Sequence, residues 1–387
     1  MKGQRNVLNE WIDMLEAHRF FELLVKQDIR FFSGVPDSLL KDFCAYLADH
    51  VPPREHIISA SEGGAVALGM GYHLSTGEIP LIYLQNSGLG NIVNPILSLA
   101  DPEVYSIPML LLIGWRGEPG VKDEPQHKKQ GRVMIPLLQA MEIPYAILPS
   151  EITEAGDILS EAVSHFNRSG GPFALVVRKE TFQPYSLQKK TDTPFPMVRE
   201  EAIQRVVDCL EPNSVVVATT GMASRELFEH RENQNAGHNR DFLTVGGMGH
   251  ASHIALGIAL QQQDRQVYCI DGDGAVLMHM GSLAINGLSP CTNFKHILIN
   301  NGAHDSVGGQ ATAGLDIDFQ TIARSCGYRI TLKAETAEAV SQGMEELNGS
   351  PGPALLEILV RKGARKNLGR PTTTPIENKQ SFMKFLR

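Results

Sequence analysis

Two short polar turns carry the residues best suited to chemistry. The apolar run 267–270 ends in Asp271-Gly272-Asp273-Gly274, and after an amphipathic segment the run 296–299 ends in Asn300-Asn301-Gly302. Strand, Gly-rich turn, helix, strand and polar turn follow one another as in a βαβ unit. Such units are right-handed with parallel strands, so both C-terminal ends lie at one sheet edge, where Asp273 and Asn301 are expected to meet. A carboxylate, an amide oxygen and a carbonyl from the turn after Asn301 would leave about three positions open on an octahedral Mg²⁺, which favours oxygen ligands and phosphates. The glycines allow close backbone approach to a diphosphate, and a helix beginning near Ala275 offers amide N–H groups and its dipole. Each turn alone is ordinary loop punctuation in an α/β protein. Their pairing one βαβ unit apart points to a metal-bridged diphosphate.

The elements that must position this pair run through the whole chain. Runs compatible with short strands alternate with helical patterns from residue 7 to the C-terminus, which predicts an α/β protein with mainly parallel sheets. The pattern occurs twice. GGAVALGMGYHLSTGEIPLIYLQNSGLGNIV parallels GGMGHASHIALGIALQQQDRQVYCIDGDGAVL, and GPFALVVRKE parallels GPALLEILVRKG. A duplication predicts two tandem doubly wound domains of about six strands each. The stretch 183–198 has three prolines and mixed charge and reads as a linker between domains 1–182 and 199–387. At 387 residues the chain has enough length for two cores.

Several further turns follow predicted strands. Ser33-Gly34-Val35-Pro36-Asp37-Ser38 leads into a helix over 39–47, with Asp37 or Ser38 near its N-cap. Glu62, in SASEGGAVALG, opens a small-residue helix, where an acid also suits the helix dipole. QNSGLGN at 85–91, TTGM at 219–222 and TVGGMGH at 244–250 are polar or Gly-rich turns of the kind that bind ligands at a sheet edge. Residues 114–132 read as a long polar loop holding Arg116, Lys122, His127, Lys128, Lys129 and Arg132.

GDG followed by NN resembles the thiamine diphosphate and magnesium motif of the thiamine diphosphate-dependent decarboxylases and carboligases. The resemblance implies Asp273, Asn301 and the Ala303 carbonyl as metal ligands, with Gly272, Gly274 and Ala275 beside the diphosphate. It implies Glu62 as the acid at pyrimidine N1′, the Gly246 carbonyl as acceptor for the 4′-amino group and Met248 as the prop under the bent cofactor. Thr219 and Thr220 would donate to the diphosphate through hydroxyl and amide groups. Domain 1–182 would then bind the pyrimidine and domain 199–387 the diphosphate. The family pattern further implies a homodimer or dimer of dimers with active sites at the subunit interface.

Large members of this family carry a third domain, for which 183–198 leaves no room. Over nearly its whole length, through FFSGVPDSLL, DEPQHKKQG, NNGAHDSVGGQAT and GARKNLGRPTTTP, the chain resembles the phosphonopyruvate decarboxylase family, with the sulfopyruvate decarboxylases as near neighbours. The implied reaction is non-oxidative decarboxylation of a pyruvate bearing a second anion on C3. An acetolactate synthase-like carboligase is the alternative. Asp37, His127 and His304 are the proton-relay candidates, and the basic residues of 114–132 the candidates for the anionic tail.

Composition sets outer bounds. A net charge of −8 argues against nucleic acid as a partner. Five cysteines without a CxxC pair are expected as free thiols in a reducing cytoplasm. The N-terminus lacks an apolar signal core and no later run has the length of a membrane span, so a soluble protein is expected.

Overall fold

The computed structural model describes residues 14–189 and 193–387. They form two compact units, divided between Lys190 and Thr191. Each has one six-stranded sheet, and every strand pairing is parallel.

In the first unit the strands are β1 (Phe32–Gly34), β2 (His56–Ile58), β3 (Leu81–Gln85), β4 (Leu110–Gly114), β5 (Tyr145–Ile147) and β6 (Phe173–Val177), in spatial order β2-β1-β3-β4-β6-β5. In the second they are β7 (Val215–Ala218), β8 (Asp241–Leu243), β9 (Val267–Gly272), β10 (Phe294–Asn300), β11 (Ile330–Ala334) and β12 (Ala354–Leu359), in order β11-β12-β10-β9-β7-β8. Read from the other edge, the second order is the first with each strand renumbered by position. The repeated sequence segments fall on equivalent elements: β3 and β9 are the third strand of their sheets, and β6 and β12 the last. Duplication is therefore visible in topology as well as in sequence.

The central strands are buried on both faces. Along β3, β4 and β6, Leu81, Tyr83, Leu110, Leu112, Phe173 and Leu175 enter one core, while Ile82, Leu84, Leu111, Ile113, Ala174 and Val176 enter the other. The second unit divides β7, β9 and β10 in the same way, with Val216, Ile270 and Ile297 on one side and Val215, Cys269 and Leu298 on the other. Side chains alternate along a strand, so helices on both faces give each parity an apolar partner. The turns at the strand ends are thereby where most polar groups can meet a ligand.

Local boundaries depart from the sequence reading in four places. Near-helical apolar spacing over 7–26 predicts a helix there; the helix found is Ala17–Lys26, with an extended Glu16 as its N-cap, and Leu8, Trp11 and Ile12 lie outside the described residues. The helix after Asp37 spans Lys41–His50 and its N-cap is Leu40, with no side-chain cap; Asp37 Oδ2 instead accepts from the Leu39 amide at 2.8 Å. The polar stretch from 114 is not a loop throughout, because helix Pro125–Ala140 starts at a proline, a residue suited to the first turn of a helix. The helix expected from Ala275 begins at Asp273 and breaks into Asp273–Met278 and Gly281–Gly287.

The predicted linker is tied down at both ends. Tyr185, Gln188 and Lys189 amides donate to Asp42 and Asp49 in the first unit. In the second, Thr193 Oγ1 accepts from the Lys362 amide and Met197 is buried. Among the described residues all five cysteines are free, and no helix is long and apolar enough to cross a membrane.

Candidate active site

In the second unit β9 and β10 are neighbours with Gly272 opposite Ile299, which places the Asp273 and Asn301 turns side by side at the C-terminal sheet edge. Asp273 is 3% exposed, and burial pushes its carboxyl up to about 6. The Thr312 hydroxyl donates to Asp273 Oδ2. Asn301 Oδ1 accepts from the Ala303 amide at 3.0 Å, and its Nδ2 donates to Asp305 at 2.7 Å. Ala303 is buried and bridges to Ala311, so the segment after Asn301 folds back on itself.

That return crosses very close to the turn. A Cβ on Gly314 would sit 2.6 Å from Asp273 Oδ2 and 2.8 Å from Asn300 Oδ1, and only glycine fits. Asn300 braces it, donating to the Gly314 carbonyl and to Glu357 on β12. Beneath lies a buried polar group: Cys269, Asp271 and His296 bring their ligating atoms within 4.8 Å of one another, and His296 Nδ1 meets the Tyr328 hydroxyl at 3.0 Å.

The turn 244–250 lies against the same helix start. Gly247 and Gly249 hold φ of 62° and 85°, in the left-handed region. A Cβ on Gly249 would strike the His279 ring and the Ala275 carbonyl. A Cβ on Gly274 would lie 3.3 Å from Met248 Cε and 3.1 Å from His304 Cε1, so Met248, Gly274 and His304 converge. Burial holds the His304 imidazole down near 4, keeping it neutral. Thr219 directly follows β7 and its amide donates to the Ile270 carbonyl, so that amide is engaged beside the sheet; its hydroxyl and Thr220 are what this turn offers.

In the first unit Glu62 is the first residue of helix Glu62–Thr76, behind the Ser61 N-cap, and is 6% exposed. Asn91 Nδ2 donates to its Oε2 at 2.8 Å. A Cβ on Gly88 would lie 2.5 Å from Oε1, so the absent side chain makes room for the carboxylate. The QNSGLGN turn therefore shapes the surroundings of Glu62.

The same turn supports a second polar group. Asn86 donates to the Arg116 carbonyl and accepts from its amide. Arg116 forks onto Asp123, with Nε at 2.8 Å and Nη2 at 2.5 Å, and reaches Ser38 through Nη1. Three of the five Arg116 N–H donors are thereby engaged within the unit, which leaves two for an anionic tail. Lys122, Lys128, Lys129 and Arg132 are exposed. Asp37 lies against Gly114, is fully buried, and leaves Oδ1 without a partner. Burial raises its carboxyl to about 6, against a partial lowering from the Leu39 amide and Arg116. His127 lies in the first turn of its helix, buried, its imidazole pushed below the usual range by burial and by Arg116.

The Asp37 shift gives a signed stability prediction. A folded-state value near 6 against the ordinary 3.8 means that the fold favours the protonated form. The stabilisation is complete below about pH 4 and is lost as pH rises through 6. Asp37→Asn cannot ionise and should exceed wild type above that window by up to about 3 kcal/mol, with little difference at about pH 4. Unfolding at the two pH values checks this; equal differences at both would refute it.

Comparison with known proteins bears on both halves. Residues 15–136 match the thiamine pyrophosphate enzyme N-terminal TPP binding domain, and residues 219–358 the C-terminal TPP binding domain of the same enzymes. A phosphonopyruvate decarboxylase of Streptomyces viridochromogenes is 32% identical, over 92% of this chain and 90% of that protein. The chain belongs to the thiamine pyrophosphate enzymes. It lies in their decarboxylase branch: a phosphonopyruvate decarboxylase of Streptomyces hygroscopicus is 30% identical over 96% of this chain and 94% of its own length. A sulfopyruvate decarboxylase of Methanosarcina acetivorans follows at 24%, over 89% and 91%.

Thiamine diphosphate is the cofactor of this family, and the residues present fit it. The donor set of Asp273, Asn301 and a backbone carbonyl is all oxygen, as Mg²⁺ requires. A buried carboxyl with a raised pKa is poised for a cation, which would hold it ionised. At Gly272 a Cβ would meet nothing within 4 Å, leaving open space beside the turn. Sequence reading missed Gly88, Asn91, Thr312, Gly314 and Asp305. Gly88 and Asn91 lie in QNSGLGN and Asp305 and Thr312 in NNGAHDSVGGQAT, so the motifs were the available signal; only Gly314 lies outside them.

Proposed function

We propose that this chain decarboxylates 3-phosphonopyruvate non-oxidatively, giving phosphonoacetaldehyde and CO₂, with thiamine diphosphate and Mg²⁺. When bound, the cofactor supplies the electron sink for loss of CO₂ from a 2-oxo acid. Asp273, Asn301 and the Ala303 carbonyl hold the metal, and Gly272, Gly274, Ala275, Thr219 and Thr220 surround the diphosphate. The Gly246 carbonyl and Met248 receive the pyrimidine. Glu62 holds a proton at pyrimidine N1′, and the Asn91 amide keeps its carboxyl in place. The domain over 1–182 takes the pyrimidine and that over 199–387 the diphosphate.

The reaction replaces a carboxylate by a proton, so the protein must hold a deliverable proton. The observation that carries the reading is Asp37: a buried carboxyl, raised to about 6, with one oxygen unpartnered at the sheet edge. Such an acid retains its proton close to working pH, as a general acid requires. Neutral His127, within the field of Arg116, is its partner in the relay. The full-length likeness to two phosphonopyruvate decarboxylases supports the substrate. Sulfopyruvate is the second reading, supported by the Methanosarcina relative. An aldehyde assay on the purified protein, loaded with thiamine diphosphate and Mg²⁺, tests the reaction. A carboligation product in place of the aldehyde would overturn it.

The active form is a homodimer or a dimer of dimers in which Glu62 of one subunit serves the metal site of the other, in the cytoplasm. Co-expression of Glu62→Gln with Asp273→Ala checks the arrangement. Each variant alone is expected to be inactive, whereas mixed dimers with shared sites rebuild about a quarter of the wild-type sites. Absence of rescue would place each site within one chain.

A further inference from the structure

The segment after β10 carries a carboxylate that the metal site does not use directly. Asp305 Oδ2 accepts three donors: Asn301 Nδ2 at 2.7 Å, the Gly363 amide at 3.0 Å and Arg199 Nη1 at 3.2 Å. Arg199 is itself forked onto Glu226, at 2.8 Å through Nε and 3.0 Å through Nη2. The side chains of Arg199, Glu226 and Asp305 are 10%, 2% and 9% exposed. Removing one member of such a buried set leaves another charge short of partners, so Asp305 is fixed in place.

An asparagine has two different ends, and only the oxygen can hold a cation. An ionised carboxylate accepts but never donates. It pairs with the Asn301 amide nitrogen and repels the amide oxygen. Asp305 therefore turns Oδ1 the other way, where one lone pair takes the Ala303 amide and the second is left for a ligand. We propose that Asp305, clamped by Arg199, is the positioning residue of Asn301, and that it sets the affinity of the site for a divalent cation by fixing which end of the amide faces the metal.

The inference rests on Asn301 as a metal ligand, and the test separates the two. The full chain is titrated with Mn²⁺ in the presence of thiamine diphosphate, with free Mn²⁺ read by EPR. Asp305→Asn presents a donor and lets the amide of Asn301 turn over, so Kd should rise about 10–100-fold, the range seen when groups supporting a ligand are lost. Asp305→Ser, which removes the carboxylate without adding an amide, should loosen Mn²⁺ over the same range. In an Asn301→Asp background the ligand has two equivalent oxygens and no orientation to fix. There Asp305→Asn should leave Kd unchanged or tighten it. Unchanged affinity in both single variants, or equal loosening in both backgrounds, would overturn the positioning role. If Asn301→Ala alone bound Mn²⁺ like wild type, the metal reading itself would fall.

Discussion

Glu62→Gln is expected to keep thiamine diphosphate bound and to slow exchange of the cofactor C2 proton by about 10²–10⁴-fold, the usual cost of losing a placed acid. An amide has nearly the volume of the carboxylate but no acidic proton for pyrimidine N1′. The surroundings favour retention of shape: the Ser61 N-cap bond to Gly64 does not involve Glu62, and the Asn91 amide still has an oxygen to donate to. Exchange in D₂O followed by NMR measures the effect. A rate equal to wild type would remove Glu62 from the mechanism. Gly88→Ala is a useful companion, because its methyl would fall 2.5 Å from Glu62 Oε1 and displace the acid without changing its chemistry.

Phosphonopyruvate is expected to exceed pyruvate by at least about 10²-fold in kcat/KM. A closed site built for a tetrahedral anion leaves its donors unpaired when the tail is missing, at a cost of about 1–3 kcal/mol or more. Sulfopyruvate should fall between them, having the same shape and a smaller charge. Arg116 spends three of its five N–H donors on Asp123 and Ser38, which limits what it can offer the tail. The exposed Lys122, Lys128, Lys129 and Arg132 remain available, and their substitution should raise KM for the phosphonate more than for pyruvate. Preference for sulfopyruvate would exchange the two substrate readings and leave the cofactor assignment in place. Preference for pyruvate would overturn the substrate assignment altogether.

The sequence by itself determined the α/β class, the duplication and the GDG and NN turns, because each depends on neighbours along the chain. Apolar parity specifies a strand buried on both faces, and a Gly-rich stop after it specifies a turn at the sheet edge. Tertiary structure alone decided what surrounds those turns. Glu62 is held by a residue 29 positions away, Asp273 by one 39 away, and Arg199 reaches Asp305 across 106. His127 looked like a loop residue because its polar surroundings mask the helix that starts at Pro125. Arg116 looked like a free cation because nothing local announces that Asp123 folds back onto it. Periodicity records which face a residue takes, whereas the pairing of polar groups follows from which strand ends and return segments the topology brings together.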